Sequence, residues 1–352
     1  MNNALHADDP DRQQQLRMLI ESAKGIAPRH GDFTRRRGLR FSQPGFDRDV
    51  WTRIAEMGWL GLRLPENAGG AGLGMLEYAA LATEAGAALL PEPFIEAQLA
   101  IDMMGTATPP PVLAGDEIIL PAWASASDGL GFDGGVAVGK GGRLSGEKRF
   151  VPMGTAADRL AVATNAGVFL VAMDQVGVQT LPLQDGGYAA TFHFEDCPAI
   201  PLDGDPRPAL EAATVANAAY LLGVMERAFD ITLEYLKTRR QFDRLIGSFQ
   251  VLQHRAVDLK IQIEITRAVI RDACVALDGG DDAQTAVSRA KTRATEAAML
   301  VTRQAIQMHG AIGYTDEADI GLFLRKALTI GNRYGSASWH RARHAALTAG
   351  DM

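Results

Sequence analysis

Between residues 207 and 348 the chain carries three long stretches with apolar residues at helical spacing and few prolines to interrupt them. They are "ALEAATVANAAYLLGVMERAFDITLEYLKTRRQF", "VLQHRAVDLKIQIEITRAVIRDACVALDGG" and "AQTAVSRAKTRATEAAMLVTRQAIQMHG". Helices of this length that are apolar on more than one face have to pack against one another. The pattern predicts a C-terminal four-helix bundle over 207–348, its last helix at about 317–330, with one apolar face left over for an oligomer contact. Gly279, Gly280 and Gly310 mark the helix ends.

The region before it has a different period. Over about 116–202, "GGVAVGKGGRLSGEKRFV", "DRLAVAT", "GVFLVAMD" and "YAATFHFEDC" are short β-branched or aromatic runs separated by glycine and aspartate. They predict a middle, antiparallel β-barrel-like domain with hairpin turns. Residues 14–115 return to helical spacing. "FDRDVWTRIAEMGWLGL" and "MLEYAALATEAGAALL" flank the turn "PENAGGAGLG", and Pro91 and Pro93 stop the second run. The expected class is therefore α+β in three parts: helical (14–115), β (116–202) and helical bundle (207–348).

Charge and cysteine usage narrow the function. A net charge of −7 with no basic block argues against a general nucleic-acid binder. Cys197 and Cys274 lack metal-ligand spacing, as do the histidines at 193, 254, 309, 340 and 344, so no metal is expected. The start, "MNNALHADDPDRQQQ", is polar and acidic, unlike a signal or transit peptide, and no apolar run has the length of a membrane span. The expectation is a cytoplasmic protein with no membrane partner.

Two motifs carry chemistry. "TRRQFDRLIGSFQVLQH", 238–254, joins two helices and supplies Arg239, Arg240 and Arg244 with Gln241, Gln250 and Gln253. Arginine forks beside a helix terminus suit phosphate oxygens, but the same composition also makes a solvated corner. "QMHGAIGYT", 307–315, reads locally either as a helix C-cap with a turn, or as a glycine platform for a flat or phosphorylated ligand.

With both motifs in this order, the chain resembles the acyl-CoA dehydrogenase family over nearly its whole length. "WTRIAEMGWLGLRLPENAGGAGL" is similar to the family's N-terminal helical signature, and "LSGEKRFVPMG" to the β-domain segment that meets the flavin. "TRRQFDRLIGSFQVLQHRAVDL" resembles its R-x-Q-F-G…FQ…QH pattern, and "QMHGAIGYTDE" its Q-x-H-G-G-x-G-x-T-x-E pattern. The resemblance implies the family fold, FAD as cofactor and an acyl-CoA substrate. It also implies a flavin site shared between subunits. One chain's β-domain and bundle hold the isoalloxazine, and the neighbour's arginine/glutamine corner and Gly-rich turn reach the pyrophosphate and adenosine. On that basis Arg239 and Gln241 match pyrophosphate contacts, and Phe249 and Gln250 adenosine-side contacts. Gln307, Met308, His309, Gly310 and Ala311 match the contact turn, where Ala311 replaces a second glycine.

The departures fall on one side of that site. The family's glutamate base, followed by Gly-Thr, corresponds here to Tyr334, with Gly335 and Ser336 after it, Ser336 being implied as a further cofactor contact. A minority location for the base corresponds to Ala213, followed by Thr214. An unperturbed phenol, with a pKa of about 10, is poorly matched to taking a proton at neutral pH. In the β-domain, "PAWASASDG" keeps only Ser127 and Asp128 of the T-E-P-x-x-G-S-D stretch. Phe150 replaces the tryptophan over the flavin, and Pro152 a threonine near N5. Proline supplies neither N–H nor hydroxyl.

This pattern resembles the heteromeric (α2β2) acyl-CoA dehydrogenases of bacterial steroid side-chain breakdown, in which unlike chains share fewer flavins than subunits. It implies an unlike partner subunit that supplies the glutamate, with electron-transfer flavoprotein as the acceptor. The alternatives are a homo-oligomeric enzyme with a displaced base, drawn from Asp230, Glu226 or Tyr334, or an inactive flavin-binding scaffold.

Overall fold

A computed structural model describes residues 10–125, 128–280 and 283–349. The helices run α1 (Pro10–Ala23), α2 (Thr34–Leu39), α3 (Arg48–Glu56), α4 (Met75–Ala87), α5 (Phe94–Met104) and α6 (Pro110–Leu113), then α7 (Pro206–Thr238), α8 (Gln250–Gly279), α9 (Ala283–His309), α10 (Ile320–Gly331) and α11 (Ala337–Thr348). The strands are β1 (Ile119–Ala122), β2 (Val136–Val138), β3 (Leu144–Pro152), β4 (Arg159–Thr164), β5 (Gly167–Ala172), β6 (Gly177–Pro182), β7 (Tyr188–Cys197) and β8 (Ile200–Leu202), followed by the short pair β9 (Arg240–Gln241) and β10 (Arg244–Leu245).

These elements form two compact units, each assembled from separate stretches of chain. One takes Arg35–Tyr78 and Pro91–Ala213. Its strands make two four-stranded sheets, ordered β1-β4-β5-β8 and β2-β3-β7-β6. Every pair is antiparallel, as the hairpin spacing predicts, except that β1 runs parallel to β4. Strands β4 and β5 are buried along most of their length and pair from Arg159↔Ala172 to Thr164↔Gly167. Trp59, Tyr78 and Phe94 stack edge to face at 5.4–5.6 Å in the same unit's core.

The other unit takes the chain up to Thr34, Ala79–Leu90, and everything from Thr214. Helix α7 is buried almost all round from Ala209 to Phe229, as its unbroken apolar sequence requires of a central helix. It lies very close to α4. A β-carbon on Gly86 would come within 2.0 Å of the Tyr220 carbonyl, and one on Gly223 within 1.9 Å of the Thr83 carbonyl. Only glycine at both positions permits that approach. Helix α9 buries a strip of small residues that includes Ala290, Ala294, Ala298 and Ala305. Gly280 ends α8 in the left-handed region, where the sequence places the stop.

The expected final helix at 317–330 is α10, and a further helix, α11, follows it. Its sequence, "ASWHRARHAALT", has weak apolar periodicity, and only His340 in it is buried. Helix α8 leaves Val257, Ile261 and Ile265 on an exposed stripe, 45–58% accessible.

Candidate functional site

At the end of α7 the chain turns sharply into a tiny hairpin. Arg239 N–H donates to the Tyr235 carbonyl (2.9 Å), and the Arg239 carbonyl accepts from Ile246 N–H (2.9 Å). Between them β9 pairs with β10, and the two turn residues, Phe242 (φ +54°) and Asp243 (φ +59°), are both left-handed. Asn-Gly usually fills such a turn, because positive φ disfavours larger side chains. Arg240 Nη2 helps hold it by donating to the Asp243 carbonyl (3.0 Å). The Arg244 guanidinium lies 3.9 Å from the centre of the Phe249 ring, which meets Phe242 edge-on at 6.2 Å.

Helix α8 begins immediately after Phe249, which offers no side-chain cap. The terminus of a long helix therefore carries partial positive charge without a side-chain acceptor. Arg239, Gln241, Arg244 and Gln250 are all exposed around it. Arginine forks around an uncapped N-terminus make a binding place for a phosphate group.

The second motif meets the helix that leads into the first. His309, the last residue of α9, stacks on Tyr235 of α7, with ring centroids 4.4 Å apart and planes 21° from parallel. His309 Nδ1 donates to the Ala305 carbonyl (2.8 Å), and burial pushes its pKa below the usual histidine value, so the imidazole is neutral. Gln307, Gly310 and Ala311 are exposed, whereas Met308 and His309 are buried. Gly310 has φ +70° with open space where a β-carbon would be, so it is there for conformation and access. Gly313 is there for packing, since a β-carbon would approach the Ile306 carbonyl to 2.8 Å. Ala311 has an ordinary negative φ and tolerates its methyl.

Tyr334 lies in the connection between α10 and α11 and is 2% exposed. Ser336 is the N-cap of α11, its Oγ accepting from Trp339 N–H (3.1 Å). Glu226, a candidate displaced base, sits between Arg29 Nη1 (2.6 Å) and Arg267 Nη2 (2.9 Å), while Arg29 also grips Glu84. Burial opposes the Arg29 charge, but the bonds to both glutamates outweigh it and raise its pKa. Asp230, half-buried on α7, is joined to no such cluster.

In the β-unit, β3 carries one extra residue relative to β7 between Lys148 and Val151. This bulge puts Phe150 at φ +57° and leaves its ring 57% exposed. Pro152 closes the strand. Ser127 lies outside the described residues. Buried Lys148 donates from Nζ to the carbonyls of Trp123 (2.9 Å), Phe132 (2.6 Å) and Gly134 (2.8 Å). Burial lowers the Lys148 pKa to about 8, with Asp133 partly opposing the fall.

Two functional candidates escaped sequence reasoning. Phe242, 84% exposed at the hairpin tip, was signalled only by a large aromatic between arginines. Tyr235 had no local signal.

Residues 207–346 match the family model for the acyl-CoA dehydrogenase C-terminal domain, and residues 13–108 that for the N-terminal domain. Acyl-CoA dehydrogenase IpdE2 of Mycobacterium tuberculosis is 32% identical over 316 residues, covering 89% of this chain and 91% of that protein. The chain belongs to the acyl-CoA dehydrogenase family. Among solved structures it is similar to the Tcur3481–Tcur3483 steroid ACAD G363A variant, with TM-score 0.85, 31% identity, and coverage of 96% of this chain and 99% of that one. It is also similar to the ChsE4–ChsE5 complex from Mycobacterium tuberculosis, with TM-score 0.82, 26% identity, and coverage of 97% and 98%.

As an acyl-CoA dehydrogenase the chain is an FAD-dependent oxidoreductase. The uncapped α8 terminus and its arginines fit the pyrophosphate of that cofactor. The β3 segment offers no flavin-N5 donor at Pro152, which has neither N–H nor hydroxyl. Among the described residues no helix is long and apolar enough to cross a membrane, and no cluster of His, Cys, Asp or Glu suits a metal.

Proposed function

We propose that this acyl-CoA dehydrogenase is the base-deficient subunit of a heteromeric enzyme of steroid side-chain type, acting in the cytoplasm. The observation that carries the reading is the Tyr235–His309 stack. It ties the end of the Gly-rich turn's helix to the end of α7 that leads into the arginine corner; Arg239, Gln241, Gln307 and Gly310 are exposed, while Tyr334, at the position of the base, is buried. A surface that offers phosphate-binding groups beside a chain without its own carboxylate base suits a subunit that completes a cofactor site held by another chain.

When bound, FAD accepts the hydride removed from the β-carbon of the acyl thioester. Arg239 and its neighbours would hold the diphosphate, the exposed Gly310 and Ala311 would lie on the dinucleotide side, and the α-proton would go to a carboxylate supplied by the unlike subunit. The steroid-type assignment follows the likeness to the Tcur3481–Tcur3483 and ChsE4–ChsE5 assemblies. Electron-transfer flavoprotein is the expected acceptor. The exposed Val257–Ile261–Ile265 stripe of α8 supplies an apolar surface for subunit contact.

The test is the flavin-to-chain ratio of the protein purified alone and with its partner. The reading expects near-zero flavin alone and restored flavin in the complex. One FAD per chain with acyl-CoA oxidation by the protein alone would sink it.

A further inference from the structure

Tyr334 holds a large ring on a backbone with φ +60°, followed by Gly335 at φ +93°. A bulky residue in the left-handed region is a backbone outlier, and such a conformation persists only where its surroundings over-determine it. Helix α9 supplies those surroundings. Lys291, wholly buried, donates from Nζ to the Gly331 carbonyl (2.9 Å) and the Ile330 carbonyl (3.4 Å), and to Asn217 Oδ1 of α7 (2.6 Å). Thr295, one turn further on, donates to the same Gly331 carbonyl (3.1 Å), and Thr292 to the Ala337 carbonyl (3.4 Å). Ser288, one turn earlier, lies 3.3 Å from His340 Nδ1, and His340 Nε2 donates to the Tyr334 carbonyl (2.8 Å).

The main chain on both sides of Tyr334 is thus held from α9, and Tyr334 itself from His340 of α11, whose ring lies against Ser288 of α9. Ending α10 would need only a simple cap for its last carbonyls. A buried ammonium costs far more desolvation than a cap, and here its donors go to the Ile330 and Gly331 carbonyls and to Asn217 Oδ1. We propose that Lys291, together with Ser288, Thr295 and His340, is a positioning apparatus for residue 334, and that this position is a preset part of the site rather than an ordinary loop residue. The apparatus acts on main-chain carbonyls. The functional meaning of position 334 rests on the reading above; the clamp does not, and the experiment separates them.

The experiment uses the full chain without flavin or partner. The six tyrosines are replaced by 3-fluorotyrosine, and the Tyr334 fluorine resonance is assigned by its loss in Tyr334→Phe. In Lys291→Met the Tyr334 line shifts by more than its width or splits, while the other five stay in place. Thr295→Val, nearly isosteric and lacking one donor, moves the same line less, and it decides the matter if Lys291→Met does not fold. An unmoved Tyr334 line in a folded variant, or equal movement of all six lines, overturns the proposal.

Discussion

Two turns of the helical unit place aromatic residues in left-handed backbone, and they are built in opposite ways. The 239–245 hairpin exposes Phe242 and surrounds it with arginines, and its few internal bonds run mainly between neighbours in sequence. The 330–337 connection buries Tyr334 and is held by side chains that arrive from α9 and α11. The first turn keeps its charges facing outward, ready for a group from outside the chain. The second uses a buried charge to fix geometry. Strain alone does not distinguish them; the origin of the compensating bonds does.

The comparison can be broken most directly at Lys291. Lys291→Met leaves buried carbonyls without their donor and is expected to cost about 3 kcal/mol of stability, measured by denaturant unfolding. A loss below about 0.5 kcal/mol would put the two turns on the same footing. Arg239→Ala in the assembled enzyme removes one charge-assisted contact worth about 2 kcal/mol. Flavin affinity should then fall at least tenfold, with unchanged stability of the isolated chain. Unaltered flavin content and turnover would favour the inactive-scaffold alternative.

A pH series tests the link between the motifs. His309 titrates below its ordinary value in the folded chain, so the unfolded chain takes up its proton first on acidification. Its contribution to stability is whole above the unfolded pKa of 6.5 and is lost as pH falls through the lowered folded value. Thermal melts should show an acid-side decline that is shallower in His309→Gln; equal slopes would mean that His309 is not held neutral. The smallest effect is expected at Phe242. Because its ring is 84% exposed, Phe242→Ala should leave the chain's stability within about 0.5 kcal/mol. Its consequence belongs to assembly, read as weaker capture of the partner on a titrated column.

Much of the fold was legible because its signals are local. Gly280 and Gly310 end α8 and α9 where the glycines stand, and β4 and β5 follow their β-branched runs. Helix α11 was missed because its apolar periodicity is weak, although Ser336 at its start is a good capping residue. Within the site, Arg239, Gln241, Gln250, Gln307 and Gly310 were named from motifs and are exposed together at one end of the bundle. The sequence could not show that Met308 would be buried or that Ser336 would cap a helix.

The sequence by itself determined the succession of helical, β and helical regions, the helix ends, the arginine corner and the absence of a carboxylate at 334. Each follows from residue type and spacing along the chain. Only the tertiary structure decided that Tyr235 stacks on His309, that Glu226 belongs to two arginines, and that Lys291 reaches across from α9 to fix the turn at Tyr334. These contacts join residues about 40 to nearly 200 positions apart, and no periodicity or propensity encodes them. They exist because close packing brings buried polar groups together, and each such group must find a partner there or pay the cost of leaving water.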